Sequence, residues 1–361
     1  MKKVAILTIT NSGLNFGNRL QNYALQKSLE QYADRVETIV SAKSWGNSAI
    51  LSGCRRLLKR VLRSDDRRRC FSSFDRQYIT MAKRIRYEGV NEHKFAAEYD
   101  AFVAGSDQVW NPNFSFNSGF EFADFAPASK RFSYAASFGV DEIPKEDREK
   151  YIEYLSRMMM LSVRENTGVK LIRELTGREA VLSIDPTMLL GGRDYIPLEK
   201  RPKNIEVPKH YVLKYYLGSV PQEYEEDICE IGETLGVPVE YLSESRGTRY
   251  YSIGPSEFLY MFRHADYVCT DSFHGTVFSI LFHKRFTVYV RRDNEVPMND
   301  RLKTLLSMVG LTGRVYGELS LSDRMKGIDY QTVDDILEKK RKESAEYFLN
   351  MQKVWNDGAE E

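Results

Sequence analysis

The sequence predicts an α/β protein built on two doubly wound parallel sheets, and three observations support this. Short β-rich apolar runs alternate with segments of helical periodicity. The alternation occurs twice, on either side of "GGRDYIPLEKRPKNIEVPK", a stretch with three prolines and paired glycines. The 361 residues are too many for one small core and suit two domains of ~150 residues each.

In the first half, residues 4–10 form a short apolar strand and "NSGLNFGN" a Gly/Asn-rich turn. In "RLQNYALQKSLEQYA", Leu20, Tyr23, Ala24, Leu25 and Leu29 recur at helical spacing. "VETIV", "AFVAG", "RFSYAAS" and "LSVRE" read as further strands, "KEDREKYIEYLSRMM" as a helix, and "AVLSIDPTMLL" closes the unit. The expected domains are residues 1–190 and 210–330, joined by a linker at 191–209. The second opens with strand "HYVLKYYLG" and helix "PQEYEEDICEIGETLG", then strand "PVEYLS" and helix "PSEFLYMFRHA". Strand "DYVCT", helix "FHGTVFSILFH" and strand "RFTVYVRR" complete it. Residues 331–361 read as one or two charged amphipathic helices, with Val333, Ile336, Leu337, Phe348 and Leu349 facing inward. Each half is therefore Rossmann-like, and the two should face each other across a cleft.

Composition excludes several functions. A net charge of +1 gives no global attraction to nucleic acid, so any anion site must be built locally. The cysteines (Cys54, Cys70, Cys229, Cys269) show neither Cys-x-x-Cys spacing nor a disulfide framework, which suits reduced thiols in a cytoplasmic protein. "MKKVAILTIT" lacks a following cleavage site and reads as a strand, not a signal peptide, and no apolar run approaches the ~20 residues of a membrane span. The five histidines form no metal-binding pair and Asp-x-Asp is absent, so no metal is expected. Gly-x-Ser-x-Gly, Gly-x-Gly-x-x-Gly and the Walker pattern are also missing. The segment 55–69, "RRLLKRVLRSDDRRR", carries eight Arg or Lys. It reads either as a solvated insertion or as a peripheral contact with an anionic membrane, where each basic residue is worth about 1 kcal/mol.

Ligands of open α/β sheets bind at the carboxyl ends of the strands. The loops expected there are residues 10–18, 104–112 and 270–275. His274 follows a strand end and opens a helix, with Asp271 and Ser272 as capping candidates and Gly275 leaving room for close approach of a ligand. It is either an acid at the cleft or a packed helix-start histidine. Arg164 sits just past a strand end; it either grips an anionic ligand or pairs with Glu165 or another carboxylate. "VAGSDQVWNP" offers Gly105, Ser106, Asp107, Gln108 and Trp110, polar groups beside an aromatic that suit a sugar, though a lone tryptophan also suits a core. The first loop contributes Asn15, Gly17 and Asn18 as candidate substrate contacts.

Taken together, "NFGNRLQNYALQKSL", "YDAFVAGSDQVWNP", "SYAASFG", "LSVRE", "DPTMLL", "YVLKYYLG" and "TDSFHGTVFSILF" resemble the polysaccharide pyruvyl transferase family. The pieces occur in the family's order, from residue 4 to about residue 311; segment 55–69 and the C-terminal helices match none of its motifs. The resemblance implies a fold similar to B-type glycosyltransferases, with the active site between the domains. It also implies phosphoenolpyruvate as donor and a saccharide diol as acceptor, joined as a pyruvate ketal with release of phosphate. No cofactor is implied. The setting would be exopolysaccharide or capsule synthesis, on an acceptor that could be lipid-linked. The Arg of "SVRE" (Arg164) then binds the donor's anionic groups and the His of "DSFHG" (His274) is the acid. Asp107 fits a base or acceptor-orienting group, and Arg301 a second cation. Two alternatives are a B-type glycosyltransferase using a nucleotide sugar and a non-catalytic sugar-binding relative. The absence of Glu from residues 258–294 counts against the first.

Overall fold

The first sheet is built around β1 (Lys3–Leu7), which pairs in parallel with β2 (Arg35–Ile39) on one side and β3 (Ala101–Ala104) on the other. β4 (Arg131–Ser133) follows β3, giving the order β2-β1-β3-β4. Isolated parallel bridges, Phe132 to Met160 and Ala136 to Val163, carry the ladder on to β5 (Ser162–Val163) and β6 (Val181–Leu182). Residues 4–7 are all fully buried, as continuous apolar runs must be in a sheet covered on both faces. The covering helices are α1 (Phe16–Leu29), α2 (Asp66–Tyr78), α3 (Glu92–Ala96), α4 (Arg148–Ser156) and α5 (Asn166–Thr176). This computed structural model describes residues 1–10, 14–40, 66–82, 92–114, 118–291 and 298–357.

The second sheet repeats the pattern. β7 (Val212–Tyr215), β8 (Val239–Leu242), β9 (Tyr267–Thr270) and β10 (Arg285–Val288) are parallel in the order β8-β7-β9-β10. They are linked by α6 (Gln222–Leu235), α7 (Pro255–His264) and α8 (Phe273–Leu281), and followed by α9 (Met298–Met308), α10 (Leu321–Met325) and α11 (Tyr330–Asp357). In both sheets the strand order reverses between the first and third strands. Chain direction diverges there and leaves a crevice at the carboxyl ends. Of the three loops expected to line a cleft, residues 14–18, 104–112 and 270–275 lie at these two switch points, while 11–13 are outside the described residues.

The halves share one apolar core. Phe16 of α1 packs on Phe258 of α7, centroids 4.9 Å apart, and on Phe71 of α2 at 5.3 Å. Tyr195 and Leu198, in the 3-10 turn Gly192–Leu198, are buried in the same cluster. Of the basic segment, residues 55–65 lie outside the described residues, while 66–69 open α2. Arg68 and Arg69 are exposed, but Arg67 is buried. Its guanidinium donates to Leu14 O (2.7 Å) and Tyr251 O (3.3 Å), faces Glu244 and stacks on Phe16 at 4.5 Å. A planar cation supplied with partners on its edge and face can be buried, so Arg67 is neither solvated nor free to meet a membrane.

The C-terminal residues form one helix of 28 residues that straps both halves. Val333 and Leu337 enter the core shared with the second sheet, whereas Tyr347, Phe348, Met351 and Trp355 pack with Val4, Ile6 and Phe132 of the first. Tyr347 donates to Ser133 O (2.8 Å) and Arg341 Nε to Met188 O (2.9 Å). Leu349, expected inward, is 46% exposed, and Ile336 is only partly buried. The stripe runs 333, 337, 344, 348, 351, 355, and residue 349 is turned about 100° away from 348. No helix among the described residues is long and apolar enough to cross a membrane. Trp355→Ala should lower the stability of the first half by about 3–5 kcal/mol, the usual cost of emptying a buried aromatic site. An unchanged urea midpoint would show that the end of the strap contributes nothing.

Candidate active site

β9 runs to Thr270, and the next four residues set the site. Ser272 is the cap of α8, its Oγ accepting from Gly275 N at 3.3 Å. Asp271 is not a cap. It turns aside to accept from Leu217 N and Gly218 N, each at 2.8 Å, and from Arg291 Nε, also at 2.8 Å. Gly275 serves packing: a Cβ there would lie 2.4 Å from Thr270 Oγ1, so glycine lets the helix sit on the end of its own strand.

His274 projects from α8 to the first half of the chain. Its ring lies against Gly17, where a Cβ would fall 2.0 Å from Nδ1. Gly17 thus leaves room for an imidazole from the other domain, at the N-terminus of α1. Nε2 has no hydrogen-bond partner among the described residues and lies 3.9 Å from Asp185 Oδ1. The residue is 9% exposed, and burial, reinforced by Arg164 and Arg301, pushes its pKa below 6.5; Asp185 and Asp107 offset this only in part.

Asp185 organises the floor of the site, and the sequence candidates did not include it. It accepts from Arg164 Nη1 and Ser106 Oγ at 2.7 Å, and from Thr187 N (3.0 Å) and Oγ1 (2.6 Å). Burial opposes its ionisation, yet His274, Arg164 and the two hydroxyls hold its pKa at about 2. Its sequence signal, Asp before Pro and Thr, is that of a helix cap, a role it also fills. Arg164 lies beneath the cleft and does not line it. Its side chain is 1% exposed, donates to Asp185 and Ser106, faces Asp107 at 3.5 Å and stacks on Phe273 at 4.7 Å. Glu165 is 4.0 Å away and accepts instead from Phe138 N.

Asp107 stands above this floor. Its φ of 74° is left-handed, unusual for a non-glycine residue and a mark of a constrained site. Its carboxylate accepts from Asn18 Nδ2 (3.1 Å) and Gln108 N (2.9 Å). Burial would raise its pKa, but Arg164, His274 and Arg301 outweigh it and keep the group ionised. Arg301 arrives from α9, which docks on the start of α5 through Asp300 to Thr167 and Thr304 to Asn166. Burial and then Arg164 push the Arg301 pKa down to about 10.

Asn15, Asp107, Gln108, Ser272, His274 and Arg301 therefore meet in one cleft, together with Leu217, Phe273 and Arg291. Asn15 also caps α1. Asn18 and Ser106 sit behind the lining as hydrogen-bond partners, and Gly105 packs on Leu25 and Ile6. Trp110 is no sugar platform: it is fully buried, parallel to Phe122 at 5.2 Å, and donates to Glu121 O.

The model of the family described as polysaccharide pyruvyl transferase matches residues 15–294. The chain belongs to that family. The match takes in Asn15, Asp107, Arg164, Asp185 and His274, while Arg301 lies beyond it. No curated protein matches the chain. Among solved structures it is similar to UDP-GlcNAc 2-epimerase of Methanocaldococcus jannaschii, at 13% identity and TM-score 0.49, covering 94% of this chain and 92% of that one. It is also similar to the wall teichoic acid polymerase TagF, at 11% identity and TM-score 0.48, covering 100% and 90%. Likenesses this distant say nothing of the chemistry.

In this member of the family, His274 fits against Gly17 with no room for a side chain there. Gly17→Ala should displace the ring and lower turnover by about two decades, with circular dichroism and melting close to wild type. Full activity in that variant would mean the ring's seat is immaterial.

Proposed function

We propose that the protein converts phosphoenolpyruvate and a saccharide diol into a pyruvate ketal and inorganic phosphate. The observation that carries this reading is the seat of His274: a buried imidazole whose Nε2 has no hydrogen-bond partner among the described residues, on a cleft that Asp107 and Arg301 also line. Phosphoenolpyruvate is inert until its methylene carbon takes a proton. The reaction then needs an acid there, cations around carboxylate and phosphate, and a group to orient the hydroxyls.

His274 donates the proton to the methylene carbon, and positive charge develops at C2. A sugar hydroxyl, its hydrogen directed to Asp107, adds to C2. Phosphate leaves with the electrons of the C2–O bond, and the second hydroxyl closes the ring, its proton passing to the imidazole that gave one up in the first step. Diol and donor supply every atom of ketal and phosphate, so the reaction needs no cofactor. Arg301 offers the donor a direct contact. Arg164 has most of its nitrogens engaged by Asp185, Ser106 and Asp107, so it acts from below by fixing those groups. The acceptor is a polysaccharide precursor. If it is lipid-linked, residues 55–65 and the exposed Arg68 and Arg69 would hold the enzyme at the inner face of an anionic membrane. The chain should then sediment with anionic vesicles at low salt and stay in solution at high salt; sedimentation unaffected by charge reversal of 55–65 argues against it.

In the empty site the imidazole is neutral near pH 7, because burial has lowered its pKa. A donor carrying carboxylate and phosphate raises that pKa again, so donor binding takes up a proton. The sign follows: an acid that must be protonated loses activity as pH rises through its pKa. The falling limb of kcat, set in the complex, should therefore lie at higher pH than that of kcat/KM. Calorimetry in buffers of different ionisation heat should show proton uptake with phosphoenolpyruvate, and His274→Ala should abolish it and cut turnover by about two to four decades. Acceptor-dependent phosphate release from phosphoenolpyruvate, with no transfer from nucleotide sugars, tests the reaction itself. The opposite result selects a glycosyltransferase.

A further inference from the structure

The chemistry above leaves one cation at the cleft without a role. Arg291 follows β10, and its side chain is 9% exposed. Only its Nε is engaged, by Asp271; among the described residues no hydrogen bond to Nη1 or Nη2 is formed. Asp271 is itself immobilised by Leu217 N and Gly218 N. The guanidinium is thus gripped at Nε, and Arg291 lines the same cleft as Ser272 and His274, at the start of α8.

Arg301 lines the same cleft. It lies close enough to Arg291 and Arg164 for both to oppose its charge. The two lining arginines differ in what already faces them. Arg301 lies near the Phe273 ring and is already faced by two carboxylates, Glu165 and Asp107, and so suits a singly charged carboxylate. Arg291 meets one carboxylate, and among the described residues its Nη1 and Nη2 form no hydrogen bond. Beside the α8 N-terminus, such a fork suits a tetrahedral dianion.

We infer that Arg291 binds a phosphate group, with Asp271 as its positioning residue; in the reaction proposed above, on which the group's identity rests, this is the donor's phosphate. The leaving group then departs into a site that does not involve His274 or Asp107, the groups that act on the methylene carbon and the acceptor. Arg291 holds the phosphate oxygens alike in the bound donor and as the C2–O bond breaks, and the bond electrons leave with inorganic phosphate.

The test uses the full chain and inorganic phosphate alone, titrated by calorimetry against wild type, Arg291→Gln and Arg291→Lys. Saturable binding by wild type should weaken about 10- to 100-fold in Arg291→Gln, the scale of losing charge-assisted hydrogen bonds. Arg291→Lys keeps the charge without the fork, should lose about tenfold, and decides the matter if Arg291→Gln does not fold. Asp271→Asn should raise KM for phosphoenolpyruvate with little change in kcat, a split that general loss of structure does not produce. Phosphate binding as tight in both Arg291 variants as in wild type, or no saturable binding by wild type, overturns the inference. Phosphate bound through Arg291 by a protein that releases none from phosphoenolpyruvate would uphold the site and sink the donor reading instead.

Discussion

A single buried carboxylate holds the reaction centre together. Asp185 is gripped by Arg164, Ser106 and Thr187 and approaches His274. Removing a charge from water costs several kcal/mol unless partners replace the lost solvation. The cost is offset here only while Arg164 stays in place, and Arg164 in turn requires Asp185 and Asp107. Because each group makes the burial of the next tolerable, the cluster has one arrangement. Its rigidity is transmitted upward through Asp107, whose left-handed backbone is fixed by the chain pairing around it.

The site also depends on both sheets at once. Asp107, Arg164 and Asp185 come from the first half, whereas His274, Arg291 and Arg301 come from the second. The imidazole crosses to the glycine at the start of α1, and α9 reaches across to the start of α5. Shared apolar packing of α1, α2 and α7, with the strap α11, holds the two switch points face to face. The halves are therefore already registered before any ligand arrives, which lowers the ordering cost of binding.

Much of this was legible because the signals are local. Strands buried on both faces must be written as apolar runs, so alternation with helical spacing gave both sheets. A polar residue straight after such a run falls at a strand's carboxyl end, which located Asp107, Gln108, Ser272 and His274. Residue type alone does not say what a side chain will meet. Arg164 reads as a ligand cation or as half of an ion pair, and the carboxylates that close on it, Asp107 and Asp185, lie 57 and 21 residues distant. Asp185 was hidden by its second role, because a cap and a charge anchor carry the same letter. Arg67 was lost in a run of arginines: helix geometry turns it inward while Arg68 and Arg69 face out. Trp110 and Leu349 fail for the same reason, since the partners that decide their side lie far along the chain.

The charges of the cleft explain why a buried histidine suits this chemistry. A permanently charged imidazolium would have to be buried beside Arg164 and Arg301, both of which oppose its charge. As a neutral group it costs little to bury and waits without a proton. A donor with carboxylate and phosphate brings the negative charge that reverses the balance, so the acid is charged by the molecule it is to protonate. Ligands lacking one anionic end would bring less negative charge and leave the ring neutral. Selectivity and reactivity then have the same origin, a ring kept neutral by burial beside arginines until the negative charge of a ligand favours its proton.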